Sequence, residues 1–393
     1  MKLACVVQRY GADVAGGSEA HCREVAERLA ARHAVTVLTT CARDYVTWSN
    51  ALPAGESQVG GVRVIRFPVR RARRLKRFAE LSDQVFDGPT SDAQQEDWFR
   101  ENGPDAPALL DHLRDHGREY DRVLFWTFRY APSFFGVPLV ADRAILLPTA
   151  EEDRALDLSV LGEFFRRPAG YLFLTPEERD FVSARAATRL TPSAVIGMGL
   201  EPAAAMGDAA RVLAPLKLPD NFVLYLGRVD RNKGCDTLLD YFQEYVADGD
   251  RTTLVLAGPA AMRIPEHPRI RALGYVQDDV RRALLATARV LLVPSPYESL
   301  SIVLLDAWNH GTPALVNAHC SVLRGQVRRA NGGLHYRTSR EFAEAMGRLL
   351  TDADTRTTLG RQGRAYVDRE YRWPTVLAKI DQLLVESGVP AST

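Results

Sequence analysis

The stretch Leu291–Asn317, LLVPSPYESLSIVLLDAWNHGTPALVN, decides the fold. Its approach, Val290–Val293, is a short apolar run of the kind that forms a strand buried on both faces of a parallel sheet. Pro294 and Pro296 stop that strand, and Glu298 falls in the turn. Ser299 or Ser301 can cap the helix that follows, and Asp306 lies about two turns into it. Gly311-Thr312-Pro313 ends the helix, and Ala314–Val316 has the composition of the next strand. Two carboxylates therefore flank a helix N-terminus at the carboxyl end of a parallel strand. Open α/β sheets bind ligands there, and helix N-termini attract phosphate. Carboxylates opposite a phosphate have a use only if they hold hydroxyls, and a nucleotide sugar has both parts. The plain alternative is a capped helix with two solvated acids.

A second stretch favours the ligand. Strand Phe222–Leu226 runs into Gly227-Arg228-Val229-Asp230-Arg231-Asn232-Lys233-Gly234, and a helix follows. Gly227 lets a ligand approach the backbone. Arg228 can grip two phosphate oxygens, and Lys233 adds a point charge at the helix start. The spacing is not that of a P-loop. Taken together, the cations suit a diphosphate, and Glu298 and Asp306 suit sugar and ribose hydroxyls.

The chain has 393 residues, more than one core usually serves, so two domains are expected. A hydrophobic content of 46% and a net charge of +1 describe a soluble globular protein and give no sign of a nucleic-acid partner. Cys5, Cys22, Cys41, Cys235 and Cys320 are scattered without a C-x-x-C, as free thiols in a reducing cytoplasm would be. No apolar run is long enough to span a membrane, and MKLACVVQ is a strand rather than a signal peptide.

Working outward, strand Leu3–Val7, the loop Gln8–Gly17, a helix from Ser18 to Arg32 and strand Val35–Leu38 open a doubly wound domain. Gly16-Gly17 stands where backbone amides can face an anion. Further strands are expected at Val62–Phe67, Val123–Trp126, Ala144–Leu147 and Tyr171–Phe173. The Gly-rich run Ser193–Glu201 marks a boundary, giving an N-terminal domain over 1–197 and a C-terminal domain over 198–373. A last helix over 374–390 is expected to pack back on the first domain. Strands resume at Phe222–Leu226, Thr253–Leu256, Ile270–Leu273, Val290–Val293, Ala314–Val316 and Gly333–Tyr336. The basic run Arg70–Arg77 is a solvated face or, alternatively, a contact for an anionic acceptor or a membrane surface.

The pair G-R-x-x-x-x-K-G and E-x7-D resembles the retaining glycosyltransferases of family 4. So do GGSE at Gly16–Glu19, AGP at Ala257–Pro259, LGYV at Leu273–Val276, NGGLHY at Asn331–Tyr336 and PTAEED at Pro148–Asp153. The resemblance covers nearly the whole chain. It implies the GT-B fold, an α/β architecture of two doubly wound Rossmann-like domains facing across a cleft. The C-terminal one would bind the nucleotide-sugar donor and the N-terminal one the acceptor. It implies that Arg228 and Lys233 bind the donor diphosphate, Glu298 contacts the transferred sugar and Asp306 holds the ribose. Leu300 and Ser301 would offer amides to phosphate, and Val276 would lie beside the base. Gly16 and Gly17 would approach the phosphate. The enzyme would need no cofactor beyond its UDP-, GDP- or dTDP-sugar donor, and no metal. Asp248-Gly249-Asp250 and Asp352-Ala353-Asp354 match a metal-binding D-x-D only in letters and are expected to serve as turn and cap residues.

Two departures stand out. The second acid of the motif is usually Glu and here is Asp306, and Glu151 stands where relatives carry His. Glu151, Glu152 and Asp153, with Trp126, Phe128, Tyr130, Phe134 and Phe135, suggest an acidic, aromatic acceptor pocket. Such a pocket suits a small cation, an amine or a thiol betaine such as ergothioneine. The alternatives are a glycan or lipid-linked acceptor in polysaccharide or glycolipid assembly, a nucleotide-sugar epimerase, or a non-catalytic nucleotide-sugar-binding protein.

Overall fold

The structure, a computed structural model, describes residues 1–14, 16–204, 207, 209–247 and 249–388. The chain divides into two compact units. The first comprises residues 1–197 with the stretch from Leu377 onward, and the second Met198–Val376.

The first unit holds an eight-stranded sheet. Its strands are β1 (Lys2–Val6), β2 (Ala34–Thr40), β3 (Gly55–Val59), β4 (Val62–Phe67), β5 (Arg122–Trp126), β6 (Ala144–Leu147), β7 (Gly170–Phe173) and β8 (Ser193–Val195). They run in the order β3-β4-β2-β1-β5-β6-β7-β8, parallel except for the β3–β4 pair. Leu3, Ala4, Cys5 and Val6 are all completely buried, which is why β1 lies centrally, covered on both faces. The strand order reverses at β1, with β2 on one side and β5 on the other, so the crevice beyond its carboxyl end is the switch point of this sheet. Strand β3, GESQV, was not anticipated, because its side chains are polar. It is an edge strand joined to β4 by a tight hairpin at Gly60-Gly61, where both residues have positive φ (57° and 79°).

The second unit holds six strands, β9 (Phe222–Leu226), β10 (Thr253–Ala257), β11 (Ile270–Gly274), β12 (Leu291–Val293), β13 (Ala314–Asn317) and β14 (Gly333–Tyr336). All pair in parallel, in the order β11-β10-β9-β12-β13-β14. Here the order reverses between β9 and β12, which bond directly to each other. The loops leaving these two strands, 227–234 and 294–301, are therefore neighbours at the switch point. The chain has the two doubly wound sheets that its sequence leads one to expect.

The last helix, Trp373–Glu386, begins in the second unit and continues into the first. Its residues Ile380, Leu383 and Leu384 are buried, and Asp381 bonds Arg32 at 2.7 Å and His33 at 3.2 Å. Just beyond it, Arg122 Nε donates to Ser387 Oγ at 3.0 Å. Positions 389 and 390 of the expected helix lie outside the described residues. No helix among the described residues is long and apolar enough to cross a membrane.

Candidate active site

The second unit builds its site on two close backbone approaches. Gly227 leaves β9 with φ +148°, and Gly258 leaves β10 with φ +144°. A Cβ on Gly258 would come 2.0 Å from the Gly227 carbonyl oxygen, so only glycine lets these loops cross. Val229 is then held to the neighbouring loop, its amide donating to Pro259 O and its carbonyl accepting from Ala261, each at 2.9 Å. Arg228 is fixed between these anchors with its side chain 47% exposed and its Nε bonded to Asp230. Asp230 also accepts from the Lys233 amide at 2.9 Å, capping the turn Arg231–Lys233. Gly234 closes that turn with φ +70°, and a Cβ there would meet Pro294 O at 2.4 Å. The β9 loop is thus pressed against the end of β12. Lys233 Nζ reaches across to Glu298 Oε1 at 2.8 Å.

The structure brings together Gly227, Arg228, Lys233 and Glu298. Around them it modifies two expectations. Asp306 is not a free acid: Arg281 donates to its Oδ2 at 2.8 Å and to Asp278 Oδ1 at 2.7 Å. Burial pushes the Asp306 carboxyl up, and Arg281 pulls it back toward the charged form. Ser301, at the start of the helix Ile302–Asn309, has its amide bonded to Gln326 Oε1 at 3.2 Å rather than open to phosphate. Ser301 Oγ and Gln326 Nε2 are buried polar atoms without a hydrogen-bond partner, so this corner has polar capacity for a ligand. Leu300 is buried. Val276 is half-buried in the turn after β11, beside Tyr275, which is 76% exposed. Cys320 lies next to Glu298, but burial pushes its thiol up to about 11, so it is no thiolate nucleophile at neutral pH.

The first unit places Gly16 and Gly17 beyond β1, at that sheet's switch point. Gly16 has φ +153°, and a Cβ on it would run into the Glu19 carboxylate at 2.1 Å. Glu19 Oε1 is bound by Arg9 through Nε at 2.9 Å and through a terminal nitrogen at 2.5 Å, with both side chains only 6% exposed. The Gly-Gly turn thus rests on a buried ion pair. Below it, Trp126 Nε1 donates to His21 Nδ1 at 3.2 Å, and burial lowers the His21 pKa to about 4, which leaves it neutral at pH 7.

Glu151 lies two residues after Thr149, a β-branched residue at φ +47°. The Ala150 amide donates to Glu178 Oε1 at 2.8 Å and the Leu174 amide to Glu178 Oε2 at 2.5 Å, so one buried carboxylate ties the ends of β6 and β7. Burial pushes Glu178 up to about 8, against the opposing pull of these amides. The native state then binds a proton that the unfolded chain releases near 4.5, so Glu178 should draw stability down as pH rises from about 4.5 to 8. Chemical denaturation across that range should show this slope, and Glu178→Gln should flatten it. An unchanged slope in the variant would assign it to other groups.

Three of the five aromatics of the expected acidic, aromatic acceptor pocket turn into the core, while Tyr130 and Phe135 are half-buried. Trp126, Phe128 and Phe134 are buried in the core of the first unit, with Phe134 stacked on Phe99 at 3.9 Å. Asp153 already carries a cation, Arg129, at 2.5 Å, and Glu151 adds its charge to the field on the same guanidinium. The basic run is partly compensated as well: Arg71 and Arg74 bond Glu101 at 2.8 and 2.9 Å, and Arg77 approaches it at 3.7 Å. Asp352 caps the helix Ala353–Glu370, accepting from Thr355 N at 2.9 Å. Asp250 accepts from Thr252 N and Tyr245 Oη, and Asp248 lies outside the described residues.

Sheets of this topology, with cations and carboxylates at the switch point of the second, define the GT-B class of proteins. Residues 220–352, in the second unit, match the family described as glycosyl transferases group 1. The chain is 32% identical over 196 residues to a D-inositol 3-phosphate glycosyltransferase of Acidothermus cellulolyticus, covering 44% of this chain and 43% of that protein. It is 25% identical over 167 residues to an uncharacterized glycosyltransferase of Methanocaldococcus jannaschii, 40% of this chain and 43% of that one. The chain thus spans less than half the length of these curated relatives. Among solved structures, sucrose-phosphate synthase of Thermosynechococcus elongatus superposes with a TM-score of 0.71 at 20% identity, over 97% of this chain and 98% of that one. The HepE protein of Anabaena, in complex with UDP and glucose, superposes with a TM-score of 0.71 at 17% identity, over 98% of this chain and 99% of that one.

Proposed function

We propose that the chain is a retaining, metal-independent glycosyltransferase that moves a sugar from a nucleoside diphosphate donor to a hydroxyl of a glycan or lipid-linked acceptor. The carrying observation is the 2.8 Å contact of Lys233 with Glu298, which joins the β9 and β12 loops beside Arg228. In the reaction the bond between the anomeric carbon and the β-phosphate oxygen breaks, and its electron pair stays on the phosphate. Arg228 and Lys233 meet that charge where it develops. The acceptor hydroxyl attacks the face the phosphate leaves, and its proton passes to a departing phosphate oxygen. Glu298 holds the Lys233 ammonium in place and accepts from the sugar hydroxyls.

For the donor, HepE structures with UDP and UDP-glucose support a uridine base. A GDP-mannose-dependent phosphatidylinositol monomannoside mannosyltransferase of Mycobacterium tuberculosis, 27% identical over 179 residues, supports a guanine one. For the acceptor, that relative and the lipopolysaccharide core glycosyltransferase of Rhizobium meliloti, 30% identical over 167 residues, favour glycolipid or polysaccharide assembly. The buried aromatics and the Arg129–Asp153 pair take support away from a cationic acceptor. The exposed members of the Arg70–Arg77 run supply a peripheral contact for an anionic membrane bearing such an acceptor. The test is turnover of UDP-glucose, GDP-mannose and dTDP-glucose in EDTA, with and without lipid-linked or glycan acceptors. Acceptor-dependent release of nucleotide with an α-linked product is expected. Donor conversion without acceptor would indicate an epimerase, and binding without any turnover a nucleotide-sugar-binding protein.

Asp306 and Glu298 should separate kinetically. Asp306→Ala removes the ribose acid and leaves Arg281 with Asp278 alone as its carboxylate partner, so it should weaken free nucleoside diphosphate and donor alike, each by roughly tenfold or more. Glu298→Ala should spare the free nucleotide and damage transfer. Calorimetric titration with the nucleoside diphosphate decides this: equal losses in both variants would merge the two roles.

A further inference from the structure

At the opposite edge of the second sheet, beside the amino ends of β12 and β13, lies a cavity of about 360 Å³. Arg289 enters it from just before β12, His310 and Thr312 from just before β13, and Arg356, Arg361 and Arg364 from the helix Ala353–Glu370. The lining contains four guanidiniums and an imidazole, and no Asp or Glu. Among the described residues, Arg289, Arg361 and Arg364 have no carboxylate partner, whereas in the basic run of the first unit three arginines converge on Glu101. Arg356 donates to the carbonyls of Leu349 and Leu350 at 2.9 and 3.2 Å, which fixes its stem. Thr312 Oγ1 is used on Leu285 O.

These cations repel one another. After burial, Arg289 is the next cause that weakens the protonated form of Arg356, and Arg281, Arg282 and Arg364 do the same to His310. The relieving acids, Asp352 toward Arg356 and Asp278 toward His310, stand outside the lining. His310 is the C-cap of the helix Ile302–Asn309, and burial and the neighbouring arginines lower its pKa, so the positive charge of the hollow is that of its arginines. That leaves four guanidiniums around one concavity. With a formal charge of +1 on the whole chain, the concentration is local. A guanidinium matches two oxygens of a phosphate at once, and several around one hollow match an anion with many oxygens. The volume suits a small phosphorylated group rather than a protein segment.

We propose that this cavity is a second anion site, one that binds a phosphomonoester or diphosphate group at the edge of the sheet opposite the donor loops. It does not depend on the transfer reaction. Through His310, whose amide bonds Asp306 O at 3.2 Å, it abuts the helix that starts at Ser301.

The test is equilibrium dialysis of the full chain with labelled inorganic pyrophosphate at fixed ionic strength. Arg228→Ala/Lys233→Ala removes the donor-side cations, and binding of one pyrophosphate should survive in that protein. Adding Arg361→Ala and Arg364→Ala, both on exposed positions, should weaken the surviving site by roughly tenfold or more. Circular dichroism checks that each variant is folded. Arg361→Lys/Arg364→Lys keeps the charge but loses the two-pronged grip and should fall between. Amide hydrogen exchange should slow at 309–313 and 353–366 when pyrophosphate is added. Sedimentation with phosphatidic acid vesicles, lost with the two arginines, would name a lipid headgroup as the source. Pyrophosphate binding without sedimentation would name a free phosphate compound. Absence of binding in Arg228→Ala/Lys233→Ala, or binding indifferent to Arg361 and Arg364, would overturn the proposal.

Discussion

Lys233→Ala and Arg228→Ala should each lower kcat by roughly a hundredfold, close to 3 kcal/mol of lost transition-state stabilisation. The diphosphate leaves with charge that has no metal to meet it in the proposed reaction, so the burden falls on these two cations. Lys233 is pre-positioned by Glu298 at 2.8 Å and by a turn whose backbone is closed by Asp230 and Gly234. Its ammonium therefore needs no reorganisation when the donor arrives. Both side chains are well exposed, at 37% and 47%, so folding should be little affected. Steady-state kinetics at saturating donor separates the effect on turnover from that on binding. Wild-type kcat in either variant would remove the diphosphate assignment.

Glu19→Ala should be the most destabilising single change in the first unit, by about 3–5 kcal/mol. It leaves Arg9 charged and buried without its carboxylate, beside the Arg43 carbonyl at 2.9 Å and the faces of Tyr45 and Trp48. Removing both partners together, as Arg9→Met/Glu19→Leu, should be far milder because no unpaired charge is left. Urea unfolding of the two proteins makes the comparison. If the single and double variants lose the same stability, the pair is not what holds the Gly16 turn.

The fold was legible because its strands announce themselves. Val223, Leu224, Leu254, Val255 and Leu291 are buried on both faces, and such runs cannot be mistaken for amphipathic helices. The β9 loop was legible for a similar reason: Gly227, Arg228, Lys233 and Gly234 are adjacent in sequence, so their geometry is local. What escaped depends on distant pairs. Arg281 lies 25 residues before Asp306, and only the sheet order brings them together. Arg9 and Glu178 act in the same way, each through partners on another element. An Arg in D-D-V-R-R, three residues after Asp278, was the one available signal for the Asp306 contact. Strand β3 escaped because an edge strand needs no apolar face; its Gly-Gly turn was the clue. The aromatics after β5 misled because a strand end in sequence does not reveal which rings turn inward.

The last helix has a practical consequence for anyone cutting the gene. A fragment that stops at Gly197 lacks the turns that carry the buried Ile380, Leu383 and Leu384, and it would uncover the surface they lie against. It would also strip Arg122 of Ser387, and Arg32 and His33 of Asp381. A half-molecule that stays in solution therefore has to be assembled from two separated coding segments, residues 1–197 and the span from Leu377 to Gly388, spliced through a flexible tether.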